Sequence, residues 1–355
     1  MSPRYLPFVD WLKVAGLTLI VWGHVAASTT VTWTPPVYPK QLGVAFFVFV
    51  TGVTLAREER RSARAVYNRC FEVYFIALAC ALFMTVVGLL LGAGPNLSNY
   101  LPLALGLNVV MNAFPANPTT WYVGTYLHIL LAWAVVLRRV RIRPWIVILW
   151  LPVEIALRAT LIETRGPYVA YMMLSNWLGV FVLGLAVGQS EVVGRRRAVL
   201  PAACAVIFFA AWPLTMALID WQLTFPFMGL ASARHTAATL LVGSLVSLVY
   251  LAYTMAAYTV VRGLRAPAVV RIIARNTVMV FIAHMPVYYL LEYLLRPTVS
   301  QYSARVTIEF LVCLPGLVLV SEVVRRVLRP DLMRDQLARR YSRAMRTWSV
   351  APSRG

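Results

Sequence analysis

A chain of 355 residues that is 60% hydrophobic and only 13% charged, with a mean hydropathy of +0.72, is too apolar to stay dissolved as a globular domain. Its net charge of +20 would suggest nucleic acid in a soluble protein. Between long apolar runs the same charge argues instead for a membrane protein, and away from a nucleic-acid partner, because the basic residues matter by where they fall.

Runs long enough to cross a hydrocarbon core of about 30 Å, roughly 20 residues each, lie in chain order near 8–27, 42–56, 70–92, 119–137, 144–162, 172–190, 198–219, 236–261, 276–295 and 306–324. They predict an all-α, polytopic bundle of about ten transmembrane helices over residues 1–328, followed by a basic tail, 329–355. With the amino terminus in the cytoplasm, 27 of the 33 basic residues fall on the inner side: Arg4 and Lys13, the stretch Arg57 to Arg69, RRVRIR at 138–143, RRR at 195–197, Arg262 to Arg275, and the tail from Arg325. Both termini are therefore expected in the cytoplasm. The stretch YLPLALGLNVVMNAF at 100–114 is apolar but short, and counting it as a crossing would put RRVRIR outside. It reads as an interfacial or re-entrant helix on the outer face. The tail reads as an amphipathic helix on the anionic inner leaflet.

The first run contains DWLKVAGLTLIVWGH, residues 10–24. On an α-helix Asp10, Lys13 and His24 fall within about 60° of one another, so all three share one stripe. Asp10 and Lys13 interrupt the apolar core that a cleavable signal needs, so this helix is expected to stay. Lys13 and His24 stand roughly 16 Å apart along the axis. The stripe has two readings: an Asp10–Lys13 intrahelical pair with an interfacial histidine, or a polar path with a cation below and a base above.

His128 in WYVGTYLH and His284 in NTVMVFIAH also fall within predicted spans. Each alone is equally well a packing residue. Together with His24 they suggest a cavity that handles protons or acyl groups, because imidazole can both accept and return a proton near neutrality. His235, beside Arg234, reads as a surface residue. Glu154 and Arg158 have the i, i+4 spacing of an ion pair that neutralises two buried charges, and Glu292 and Arg296 repeat it nearer the outer interface. The four cysteines, Cys70, Cys80, Cys204 and Cys313, lack CxxC or metal-ligand spacing and read as small hydrophobes. Gly43 and Gly52 are ordinary helix-packing residues. No Ser-His-Asp order, HExxH or Walker loop is legible, and no metal is expected. A histidine base without a protein nucleophile fits direct transfer of an acyl group from an activated donor to a hydroxyl.

In order along residues 4–288 these features resemble the membrane acyltransferase-3 family. Asp10, Lys13 and His24 match its D-x-x-K and R/K-x10-H signature. LGVAFFVFVTGVTL, with Gly43, Phe46, Phe47, Thr51 and Gly52, is similar to the stretch of the second helix that carries its glycines and paired phenylalanines. Arg69 resembles part of the R-x-x-R-x-x-P segment opening the third helix, with Glu72 in the place of the proline. Trp121 resembles the W-F-L helix, and NTVMVFIAHMPVY resembles the S-x-x-x-Y-x-x-H-x-P helix. The resemblance implies acyl-coenzyme A as the donor, acetyl-coenzyme A most commonly, arriving from the cytoplasm. The acceptor would be a hydroxyl of a glycan, glycolipid or glycosylated small molecule. His24 would be the general base, with Asp10, Trp121 and His284 in the reacting region, and Lys13, Arg69, Arg64 and Arg61 would hold the donor phosphates. Basic residues numbering 31 Arg against 2 Lys suit a GC-rich bacterial genome, and the expected location is a bacterial inner membrane. The alternative is a proton-coupled transporter of a glycan or anionic substrate, for which no matched pair of broken half-helices is evident.

Overall fold

The computed structural model describes residues 5–26, 39–59, 62–90, 92, 99–114, 118–190 and 236–349, and within them every regular element is helical. In chain order these are α1 (Pro7–Val25), α2 (Pro39–Ala56), α3 (Ser62–Leu90), α4 (Tyr100–Ala104), α5 (Asn108–Met111), α6 (Trp121–Val135), α7 (Pro144–Arg165), α8 (Pro167–Met172) and α9 (Leu178–Gln189). They continue with α10 (Thr236–Val261), α11 (Ala268–Leu295), α12 (Tyr302–Leu311), α13 (Leu317–Leu328) and α14 (Pro330–Ser349). Among the described residues six helical runs are long and apolar enough to cross a membrane: α1, α3, α7, α10, α11 and the continuous stretch 302–341. Shorter apolar helices lie in α2, α6 and α9. The expected span at 198–219, RRR at 195–197, Cys204, Arg234 and His235 lie outside the described residues, as do Arg4 and Arg61.

Two stretches depart from the sequence reading. Helix α3 begins at Ser62, eight residues ahead of the span expected at 70–92, so Arg64 and Arg69 ride on its first turns; Ala63, Arg64 and Ala65 favour helix. The expected span at 172–190 is broken. Helix α8 ends at Met172, Met173 is extended, and α9 is only 12 residues long. The carbonyls released by the break find donors. Thr125 Oγ1 donates to Met172 O at 2.5 Å, the Asn176 amide donates to Tyr171 O at 3.1 Å, and Arg158 donates to Asn176 O at 3.3 Å. Irregular backbone at membrane depth is tolerated only with such partners.

The stretch at 100–114 forms two short helices, α4 and α5, which turn at Gly106, where φ is +70°. A side chain there would be strained by the backbone and would also meet Leu127. His128 Nε2 lies 2.9 Å from Gly106 O. Since a carbonyl only accepts, this imidazole donates, and it fastens α6 to the turn.

Helix α2 is sandwiched between α1 and α9. A Cβ on Gly16 would lie 2.8 Å from Gly43 O, and one on Gly52 would lie 2.5 Å from Phe181 O. Lipid tails are as apolar as leucine, so membrane helices gain from close backbone approach rather than from burial, and small residues permit it. On α7, Arg158 is fully buried and Glu154 nearly so. Arg158 donates to Glu154 at 2.5 Å, to Gly243 O at 2.6 Å and to Ser247 Oγ at 2.9 Å. Glu154 also accepts from Ser247 and, at 2.5 Å, from the Gly179 N–H. The pair thus ties α7 to α9 and α10 and lines neither of the cavities described below. Glu292 pairs with Arg305 at 3.3 Å rather than with Arg296: the turn after α11 brings α12 back alongside, and Arg305 reaches both Glu292 and Glu309.

Candidate active site

Helix α11 contains Pro286, which has no N–H. The carbonyl four residues earlier, Ile282 O, therefore loses its helical donor. Thr119, just before α6, donates its hydroxyl to that carbonyl at 3.1 Å. One turn away, His284 Nδ1 lies 2.6 Å from Phe281 O. A carbonyl cannot donate, so Nδ1 carries the proton in this contact. The fully buried Nε2 of the same ring has no hydrogen-bond partner among the described residues. A buried polar atom without a partner is costly and points to a site where another group comes to rest.

Beside that ring stands His24, in the last turn of α1. The two imidazole centroids are 5.1 Å apart. Contacts between α1 and α11 make this possible, because α1 presents His24 on the stripe that faces inward. A cavity of about 270 Å³ opens beside His24, lined also by Lys40, Thr119, Trp121, Tyr168 and Tyr171. Trp121 is held in it by an aromatic stack: its ring is 6.4 Å from Trp177, which stacks on Tyr250 at 5.1 Å, and Tyr171 packs beside both.

Toward the other end of α1 lies a larger cavity of about 480 Å³ with a basic wall, formed by Lys13, Arg69, Arg275, Arg325 and Arg334, with Glu58 and Glu72 among them. Each arginine carries a carboxylate: Arg69 with Glu58 at 3.5 Å, Arg275 with Glu322, Arg325 with Glu72, and Arg334 with Asp331 at 3.0 Å and Asp335 at 3.2 Å. Lys13 has no carboxylate within ion-pair distance among the described residues. The Asp10 carboxylate, on the same stripe, accepts from the Tyr5 hydroxyl at 2.5 Å and acts on Lys13 through its charge rather than by direct contact.

The sequence-derived residues thus fall into groups. Lys13 and Arg69 line the basic cavity, His24 and Trp121 line the smaller one, and His284 adjoins His24. Asp10 sits beyond the basic cavity's lining. Arg64 is exposed, pairs with Asp335 at 3.5 Å and lies over the Tyr67 ring, outside both cavities. Arg61 lies outside the described residues. Arg275, Arg325 and Arg334 were not singled out from sequence, because they come from three separate elements far from Lys13 in the chain. Their clustering among the inner-side basic residues was the only signal. The tail helix α14 leans on α3, where Tyr67 donates to Arg334 O at 2.9 Å, and so delivers Arg334 to the cavity wall. Among the described residues no group of three or more His, Cys, Asp or Glu could hold a metal ion.

Apolar helices of membrane-crossing length around two cavities that carry polar side chains define a multi-pass membrane protein. Comparison with family models matches residues 6–324 to an acyltransferase domain, and the chain belongs to the membrane acyltransferase-3 family. Searches of curated proteins and of solved structures gave no match.

Proposed function

We propose that the protein moves an acyl group, acetyl in the first instance, from cytosolic acyl-coenzyme A to a hydroxyl of a glycan, glycolipid or glycosylated small molecule. The observation that carries this reading is the pairing of His24 with His284 above a cavity whose wall holds five cationic side chains. In this reading both termini and the basic cavity face the cytoplasm of a bacterial cell. The donor's phosphates rest against Lys13, Arg69 and the other arginines of the wall, and its pantetheine arm spans the roughly 16 Å between Lys13 and His24. A phosphate entering the wall meets Lys13 directly and competes with Glu58 and Glu72 for Arg69 and Arg325.

A ring nitrogen of His24 takes the proton of the acceptor hydroxyl as its oxygen attacks the thioester carbonyl. The carbon–sulfur bond then breaks, and the leaving thiolate collects the proton from the imidazolium. The products are an ester and free coenzyme A, with the imidazole restored. His284, fixed by its bond to Phe281 O, offers its unpaired Nε2 to the hydroxyl or to the adjacent ring. Trp121 forms the apolar wall against which the acceptor lies, and Asp10 contributes a negative charge one turn from Lys13.

Purified protein in nanodiscs tests this. His24→Ala is expected to lose about 10²- to 10⁴-fold in turnover while binding coenzyme A as the parent does. Lys13→Ala is expected to weaken coenzyme A binding by about tenfold to a hundredfold, the worth of one charged hydrogen bond. Parent-like acylation by His24→Ala, or no coenzyme A binding by the parent, contradicts the reading.

A further inference from the structure

We propose that Phe281 is the partition between the two cavities and limits the size of the acyl group that crosses from one to the other, an inference that rests on the acyl-transfer reading above. Among the described residues, Phe281 alone lines both the basic cavity and the cavity beside His24. Its ring is buried and boxed by three others, with centroids 5.2 Å from Tyr122, 5.9 Å from Phe47 and 5.9 Å from His284. Phe47 and Tyr122 also touch each other, at 6.4 Å.

A thioester rising from the basic wall meets this ring before it reaches His24. The backbone at 281 is tied down, because its carbonyl holds the His284 Nδ1 proton, so only the side chain can give way. Interiors packed this closely yield by small rotations, not by wholesale retreat. Phe281 therefore passes a small acyl group and resists a longer one. The cavity beyond, of about 270 Å³, must also admit the acceptor hydroxyl and part of its carrier, which leaves little room for added methylenes.

The test compares acetyl-, butanoyl- and hexanoyl-coenzyme A as donors in membrane vesicles, read as kcat/KM for release of the free thiol. The parent, Phe281→Ala, Phe281→Leu and Phe281→Trp are measured, each after its folding is checked by size-exclusion chromatography and coenzyme A binding. The parent is expected to favour acetyl over butanoyl by about tenfold or more, in line with the selectivity that added methylenes impose on a fitted pocket. Phe281→Ala is expected to narrow that ratio by about tenfold, with Phe281→Leu intermediate, and Phe281→Trp to slow even the acetyl donor. Phe281→Leu supplies the answer if the alanine variant does not fold. A parent that accepts hexanoyl as readily as acetyl, or folded variants with the parent's chain-length profile, overturns the partition and leaves acyl transfer intact. A parent that neither binds coenzyme A nor consumes any donor overturns both.

Discussion

Thr119 is a single hydroxyl with a structural task set by a proline 167 positions further on. Pro286 strips Ile282 O of its helical donor, and Thr119 supplies the replacement beside the two imidazoles. Thr119→Val keeps the shape and removes the donor. It is expected to cost about 0.5–1.5 kcal/mol, the net worth of one hydrogen bond, read as a lower thermal unfolding midpoint in detergent, whereas Thr119→Ser stays near the parent. Arg158 makes a second residue-level case, since its charge is buried with Glu154 and both of its terminal nitrogens donate hydrogen bonds. Arg158→Met strands the Glu154 carboxylate and is expected to destabilise by about 3–5 kcal/mol, and adding Glu154→Leu recovers part of the loss, because the stranded charge is gone while the Asn176 carbonyl and the Gly179 N–H have each lost a partner. If the double variant unfolds as easily as the single one, the network contributes more than mutual neutralisation.

The first helix does its work through its fit to the second. Gly16 and Gly43 bring the α1 and α2 backbones so close that a Cβ on either would strike the other's carbonyl, and α1 carries both Lys13 and His24. Gly43→Leu forces the helices apart. The expected cost is about 1–3 kcal/mol for an overpacked contact, together with a fall in acyl transfer larger than the change in coenzyme A affinity, since His24 lies at the far end of the displaced helix. A folded Gly43→Leu protein with parent-like transfer would show that the crossing does not set the position of His24. The tail helix acts in another way. Its contacts with Tyr67 and Arg64 of α3 bring Arg334 into the basic wall, so the segment read from sequence as a surface helix also touches the cavity.

At the scale of the whole molecule, the stripe of Asp10, Lys13 and His24 was legible because helix periodicity is local, and Lys13 and His24 do line the two cavities. The direct contact of His24 with His284 was not legible from spacing, since it depends on α1 packing against α11 across some 260 positions; the sequence and the family resemblance only group the two histidines in one region. The break at 173–177 is not legible in the sequence for a similar reason: the run is largely apolar, and the side chains that satisfy its open carbonyls, Thr125 and Arg158, belong to other helices. His128 looked like His284 from sequence, yet it pins a turn at Gly106 while His284 faces an imidazole. The central claim is that a basic cavity and a paired-imidazole cavity lie in series along α1, joined at Phe281. A cryo-electron microscopy map of the protein in nanodiscs with coenzyme A measures this most directly. The account predicts density with its phosphates against Lys13 and the arginine wall and its thiol end at Phe281, directed toward His24; density confined to the surface, or threading away from α1, would contradict it.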